Sequence, residues 1–242
     1  MVKRVFDAAA AAFGLLLASP VLIPAALAVF LQDGHSPFYI APRVGKGGRT
    51  FRMVKLRSMR VLADRTGVTS TAGDDPRITA VGRFIRRWKL DEITQLWNVL
   101  KGDMSLVGPR PQVQWAVDAY TDEERKLLDV RPGITDLASI VFADEADILH
   151  GATDPDQRYD RVIRPWKSRL ALLTATAPPS VSRDLRIVSL TALAIGNRRE
   201  ALEKVARMVQ ELGGGEDLVH VARREEPLRE APPPGLGELR TR

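Results

Sequence analysis

The chain has 242 residues, enough for one ordinary domain with a real core or for a smaller domain plus a membrane element, and too few for two full domains. Its formal net charge of +6 points to an anionic partner, whether nucleic acid, an acidic lipid surface or a phosphorylated small molecule. The lack of cysteine excludes disulfides, thiolate metal sites and cysteine nucleophiles; His35, His150 and His220 are too far apart for metal-ligand spacing, and aromatic residues, 6% of the chain and scattered, offer no stacking platform for nucleic acid.

Residues 8–31, AAAAAFGLLLASPVLIPAALAVFL, carry no charge. At about 1.5 Å per residue, a straight helix of this length would cross a bilayer core of about 30 Å. Pro20 argues otherwise, because a proline inside a helix removes a backbone bond and clashes one turn back; a kink or break is expected near Ser19-Pro20, with Pro24 one turn later. The Ser19 hydroxyl is placed to bond back to a carbonyl one turn earlier. Lys3 and Arg4 precede the segment, and Arg43, Lys46, Arg49 and Arg52 follow it, so both flanks carry the charge of cytoplasmic flanks. A hairpin entering and leaving by one face satisfies both observations; a kinked spanning anchor and a cleaved signal peptide ending in ALA at 26–28 are the alternatives.

Residues 38–60 read as two extended stretches around Gly45-Lys46-Gly47-Gly48, a β-hairpin whose turn lacks the spacing of a phosphate loop. On a strand, Lys55 and Arg57 would share a face with Phe51, Met53 and Met59, either as a solvated cationic face or facing a phosphate. Residues 61–74 read as a polar loop. Asp75-Pro76 then has the form of a helix start, and Ile78, Val81, Phe84, Ile85 and Trp88 recur at helical spacing, with Arg77, Arg83, Arg86 and Arg87 off that stripe. A second helix carries Leu90, Ile93, Leu96, Trp97 and Leu100 and ends at Lys101-Gly102. Trp88 and Trp97 belong to a core or a membrane interface.

Asp91 and Glu92 fall in the first turn of that second helix, where acidic side chains offset the helix dipole by about 0.3–1 kcal/mol each. Adjacent carboxylates also repel, and need cations: Arg86, Arg87, Lys89 or a divalent metal such as Mg²⁺. Such a pair can supply a nucleophile and a metal or proton partner. GDMSLVGPRP, residues 102–111, then fixes an irregular backbone that presents Arg110 between two prolines, either for bidentate phosphate recognition or for a surface ion pair.

Beyond it, Asp154-Pro155 opens an amphipathic helix over 155–176, basic and containing Trp166, which would lie on a membrane surface or pack in a bundle. SRDLRIVSLTALAIG and RREALEKVARMVQEL continue in helices stopped by Gly213-Gly214-Gly215, and residues 225–242, rich in proline and charge, read as disordered.

KRVFD before the apolar segment, RVGKGGRTFRMVKLRSM, DPRITAVGRFIRRWKLDEITQLWNVLKGDMSLVGPRP and RPGIT at 131–135 together resemble the bacterial sugar transferases called monotopic phosphoglycosyl transferases, over roughly residues 3–190. The resemblance implies an α+β, predominantly helical fold: a re-entrant membrane helix-break-helix at 1–34 broken at Ser19-Pro20, a small β-hairpin and interfacial amphipathic helices around a cytoplasmic catalytic domain at 35–212, and a flexible tail at 213–242. It implies transfer of a sugar phosphate from a nucleoside diphosphate sugar, usually a UDP-sugar, to undecaprenyl phosphate at the inner membrane, the first membrane step in making capsules, exopolysaccharides, O-antigens or glycoproteins. Asp91 inherits the role of nucleophile and Glu92 that of its assistant, both with Mg²⁺; Arg86 and Arg110 inherit phosphate and nucleotide contacts, with Lys55, Arg57 and Arg77 as weaker candidates. Membrane lipids, downstream glycosyltransferases and a second copy of the chain are the candidate partners, and nucleic acid is not one. The alternative is a catalytically silent scaffold on the same fold, which the retained Asp91, Glu92, Arg86 and Arg110 argue against. Trp88-Lys89, Thr94 and Asp136 depart from common family forms without removing a catalytic group.

Overall fold

The computed structural model describes residues 2–63 and 75–237; most of the polar loop expected at 61–74 lies outside them. The chain is mostly helical. A long helix, α1 (Val2–Asp33), leads into a hairpin of β1 (Phe38–Val44) and β2 (Thr50–Leu56), joined by a 3-10 turn at Lys46–Gly48. Then come α2 (Ala80–Arg87), α3 (Leu90–Ile93), α4 (Leu96–Lys101), β3 (Ser105–Val107), α5 (Gln114–Asp118), α6 (Asp122–Arg125), β4 (Gly133–Thr135), α7 (Leu137–Val141) and α8 (Glu145–Leu149). The chain finishes with α9 (Pro155–Arg158), α10 (Arg164–Ala175), α11 (Val181–Gly196), α12 (Arg198–Glu211) and α13 (Glu216–Arg223).

The expected break at Ser19-Pro20 is absent as an interruption: α1 runs through Pro20 and Pro24. The reason is local. Pro20 has no N–H for the carbonyl four residues back, Leu16, and the Ser19 hydroxyl donates to that oxygen at 2.7 Å. One face of α1 packs on the rest of the protein in two places. Ala11 joins Met53, Val99 and Met104 in a small core, and Val29, with Leu22, Ala25 and Ala26 around it, joins Leu56, Ile85 and Leu90 in another. The opposite face leaves Phe13, Leu16, Leu17, Ile23, Leu27 and Leu31 exposed.

Both ends of α1 are tied down by charge. Lys3 pairs with Asp184 of α11, Arg4 donates to the terminal carbonyls of α4 at Val99 and Leu100, and buried Asp7 accepts from Ser105 Oγ at 2.9 Å. At the other end, Arg57 grips Asp33 with two bonds, of 2.6 and 2.7 Å.

The hairpin is antiparallel, with Tyr39 opposite Lys55 and Ala41 opposite Met53. A second, two-stranded sheet pairs β3 with β4 in parallel, a feature three-residue strands leave no periodicity to reveal. The GPRP and RPG loops cross there at backbone contact: a Cβ on Gly108 would lie 2.4 Å from the Arg131 carbonyl oxygen, and one on Gly133 would lie 2.1 Å from the Gly108 nitrogen.

The main core gathers α7, α10, α11, α12 and α13 around Leu137, Val141, Ile163, Leu170, Ile187, Val205 and Met208. The basic helix beginning at Pro155 is therefore a packed bundle helix. Its course contains a π turn at Tyr159–Ile163 just before Pro165, which cannot donate to the carbonyl of Arg161. The N–H of Ala231 takes that oxygen at 3.1 Å. The stretch read as a flexible tail from 213 is thus ordered through 237: α13 buries Leu218 and Ala222, and Trp166, Arg169 and Thr121 donate to the carbonyls of Arg229, Pro232 and Pro234. Proline-rich composition conceals this, since the contacts are made by backbone carbonyls.

Candidate active site

The segment expected to start a helix at Asp75 does so later. Asp75 instead accepts from the backbone and side chain of Arg77, Ile78 bridges to Met59 in β fashion, and Thr79 caps α2 by accepting from the Gly82 N–H at 2.9 Å. Gly82 lies so close to Ser58 that an added Cβ would sit 1.8 Å from its carbonyl oxygen, and the same closeness lets Arg86 Nε donate to Ser58 Oγ at 2.9 Å. Buried Ile85 faces the core; Phe84, Trp88 and Trp97 are exposed, so the tryptophans are not core residues.

Between α2 and α3 the chain turns at Lys89, whose φ of 54° is left-handed. A non-glycine residue held there costs on the order of 1 kcal/mol, and such strain is concentrated at functional positions. The turn starts a fresh helix with Asp91 and Glu92 in its first turn. The expected second helix is in fact two, α3 and α4, separated at Thr94-Gln95. Buried Thr94 donates to the Val54 and Asp91 carbonyls, and buried Asn98 takes the Val54 N–H at 2.9 Å and donates to the Arg52 carbonyl at 2.7 Å. These bonds fasten α3 and α4 to β2, the strand that carries Lys55.

The electrostatics follow from that placement. Burial pushes the Asp91 carboxyl above its ordinary range, opposed by Lys55, Arg86 and Lys89, with Glu92 adding to the rise. Glu92 resists the same burial: Arg110, Lys55 and Lys89 hold its carboxyl below the usual value, and Arg110 contacts it at 3.2 Å. Burial first, and Arg110 second, bring Lys55 down to about 8 against the pull of Glu92 and Asp91. Asp91 Oδ1 is buried and has no hydrogen-bond partner among the described residues. A buried carboxylate oxygen left this way is costly unless something completes it.

That orphaned oxygen is the test of whether Mg²⁺ fits. No group of three or more His, Cys, Asp or Glu that could hold a metal occurs among the described residues. Mg²⁺ commonly takes one or two carboxylates and completes its shell with substrate phosphates and water, so Asp91 with Glu92 is a sufficient protein contribution.

Of the residues expected from sequence, Asp91, Glu92, Lys55, Arg86 and Arg110 act on one another at this site. Arg57 does not join them; it is spent on Asp33. Arg77 pairs with Asp75 at 2.6 Å, and its charge acts on Arg86. Ser19 and Pro20 lie in α1. Sequence reasoning missed Arg43, whose charge acts on Lys55 and Arg110, and a second polar group beyond Arg110: Glu145, its ion-pair partner Lys167, and Tyr159, over whose ring Lys167 sits at 5.6 Å. These come from distant segments, and no spacing links them. Asp136, a departure from family form, caps α7 by accepting from the Ser139 N–H at 2.7 Å.

The sequence model of the family described as Bacterial sugar transferase matches residues 1–192. The UDP-glucose:undecaprenyl-phosphate glucose-1-phosphate transferase of Caulobacter vibrioides is 42% identical over 189 residues, 75% of this chain and 70% of that one. The undecaprenyl-phosphate galactose phosphotransferase of Salmonella typhimurium is 40% identical over 200 residues, 75% of this chain and 41% of its own. The UDP-N-acetylgalactosamine-undecaprenyl-phosphate N-acetylgalactosaminephosphotransferase of Aeromonas hydrophila is 39% identical over 170 residues, 68% of this chain and 40% of its own. The chain therefore spans about two fifths of the length of the latter two.

Proposed function

Since this chain belongs to the bacterial sugar transferase family, we propose that it transfers a sugar 1-phosphate from a UDP-sugar to undecaprenyl phosphate and releases UMP. The observation that carries the reading is the buried, unpartnered Oδ1 of Asp91 among Lys55, Arg86 and the Glu92–Arg110 pair. An anionic nucleophile is held there within a surround of Lys55, Arg86 and Arg110 whose charge suits phosphate.

In the first half-reaction a carboxylate oxygen of Asp91 forms a bond to the phosphorus that bears the sugar, and the bond from that phosphorus to UMP breaks, the electron pair leaving on the UMP oxygen. In the second, an oxygen of the lipid phosphate attacks the same phosphorus and the Asp91 carboxylate is released, giving the undecaprenyl diphosphate sugar. Lys55, Arg86 and Arg110 offset the negative charge of donor and leaving group throughout. Glu92, held below its ordinary range by Arg110, stays ionised beside Asp91. Mg²⁺, when bound by Asp91 and Glu92, would supply further neutralisation of the diphosphate.

The membrane arrangement we propose is re-entrant, with the catalytic body on the cytoplasmic face of the inner membrane. Its support is that both ends of α1, at Lys3 and at Asp33, are fastened to the same body while the face carrying Leu16, Leu17 and Ile23 stays exposed. A helix crossing the bilayer could hold only one end there.

The test is UMP release from a panel of UDP-sugars with undecaprenyl phosphate and Mg²⁺, wild type against Asp91→Asn. Release that depends on acceptor, metal and Asp91 is expected. No release across the panel from folded protein in lipid overturns the reaction.

A further inference from the structure

A cleft of about 520 Å³ that the carboxylate site does not use lies between the end of α1 and the start of α2. Its walls include Gln32, Asp33, Arg60, Asp75, Thr79 and Arg83. The two carboxylates are already matched, Asp33 with Arg57 and Asp75 with Arg77, each at 2.6 Å. Arg60 and Arg83 are different: both are exposed, and neither has an ion pair among the described residues. A cleft whose acids are paired, and whose two exposed arginines have no ion pair among the described residues, suits an anion with several acceptor oxygens, and the guanidinium fork favours phosphate.

Position narrows the source of that phosphate. One wall is the end of the apolar helix. Phe84, the residue after Arg83, and Trp88 are 55% and 59% exposed, with ring centroids 6.5 Å apart, so bare aromatic surface adjoins the cations. A soluble anion has no use for that surface; the head of a lipid does. In the other direction, α2 joins the wall of the cleft to the candidate active site. Arg86 lies one turn after Arg83 on α2, donates to Ser58 two residues before Arg60, and its charge acts on Asp91. Free guanidiniums at the membrane helix therefore continue into the arginine that faces the nucleophile.

We propose that this cleft receives the phosphate monoester of the membrane-borne acceptor, with Arg60 and Arg83 as its contacts. The phosphate passes from there along α2 to Arg86 and to the phosphosugar held on Asp91. The assignment rests on the transferase reading above. It separates the two substrates in space: the donor meets Lys55, Arg86 and Arg110, and the acceptor arrives from the side of Arg60 and Arg83.

The double variant Arg60→Gln with Arg83→Gln, as full-length protein in lipid nanodiscs, tests it. Both positions are exposed, and an unchanged unfolding temperature establishes that the variant is folded. The expected result is an apparent KM for undecaprenyl phosphate raised about tenfold or more, as befits the loss of two charge-assisted contacts, with the KM for the UDP-sugar unchanged. Unchanged acceptor KM overturns the proposal. Bulk anionic phospholipid is the other source of the same chemistry. Weakened binding to phosphatidylglycerol vesicles, with acceptor KM per bound enzyme unchanged, would make these arginines a general membrane contact and also overturn it. Saturation binding of undecaprenyl phosphate in detergent micelles without donor needs no turnover, so it decides the cleft even if wild type releases no UMP; that failure would fall on the reaction instead.

Discussion

The hydroxyl of Ser19 donates to the carbonyl oxygen of Leu16 at 2.7 Å, the oxygen for which Pro20 has no N–H. In hydrocarbon such an oxygen has no water to turn to, so the serine is what lets proline sit in the middle of an apolar helix. If α1 enters and leaves by one face, tags at either terminus are reached only from the cytoplasmic side. Ser19→Ala combined with Pro20→Ala restores the backbone donor, favours a straight helix and should move one tag to the other side. Labelling intact cells with a membrane-impermeant reagent reads the difference, and a wild-type terminus outside would defeat the one-sided arrangement.

Asp91→Asn should lower UMP release by about a thousandfold or more, since an amide cannot form the acyl phosphate, while membrane association and unfolding temperature stay near wild type. Incubation with labelled donor alone should leave label on wild-type protein and none on the variant. Persistence of near-normal turnover in Asp91→Asn would move the nucleophile elsewhere.

Lys55 sets the alkaline limit. Its ammonium, brought down to about 8 mainly by burial, is present below that value and lost above it. Turnover should therefore decline as pH rises through about 8, and on the acid side it should decline as Asp91, raised by burial, takes up its proton. Arginine stays charged throughout, so Lys55→Arg should remove the alkaline limb from the profile. A wild-type rate that stays flat through that region would show that the Lys55 charge is not required.

The two weaker arginine candidates separate from the strong ones by partner. Arg57 holds Asp33 at the end of α1, so Arg57→Gln should lower the unfolding temperature and loosen α1, with little effect on kcat once the protein is folded. Arg86→Gln should do the reverse, lowering kcat/KM by roughly a hundredfold with stability nearly intact. Equal kinetic damage from both would contradict this division.

What could be read in the sequence follows the range of the interaction. The hairpin, the stop at Gly102, the helices over 181–211 and the Ser19 back-bond are all set by residues within a few positions of one another, and each is found. The Asp91-Glu92 pair stood out because like charges adjacent in sequence need an explanation wherever they fold. The start of α2 was misplaced because Asp75-Pro76 satisfies the local rule for a helix cap, while the tertiary bridge between Ile78 and Met59 holds the chain extended until Thr79. The Glu145, Lys167 and Tyr159 group, the arginine cleft and the role of Lys3 and Asp7 depend on long-range packing. No local pattern encodes them.

Residues 225–237 supply the last case. Their composition, with three consecutive prolines, cannot build a core and reads as disorder. Yet the segment makes four hydrogen bonds to the body: Ala231 gives its N–H to the Arg161 carbonyl at 3.1 Å, and Trp166, Arg169 and Thr121 donate to its carbonyls at 2.8, 2.8 and 2.6 Å. At about 1 kcal/mol net per bond, less the entropy of holding the segment, deletion of 225–242 should cost about 1–3 kcal/mol. The π turn it braces carries Tyr159, over whose ring Lys167 sits at 5.6 Å; Lys167 pairs with Glu145, whose charge acts on Arg110, so the deletion should also raise the KM for the UDP-sugar more than it lowers kcat. Ala231→Pro removes only the one N–H and leaves the remaining chain in place. A smaller shift in the same two quantities from that variant would assign the effect to the Arg161 carbonyl; a truncated enzyme with wild-type stability and donor KM would return the segment to the disorder its composition suggests.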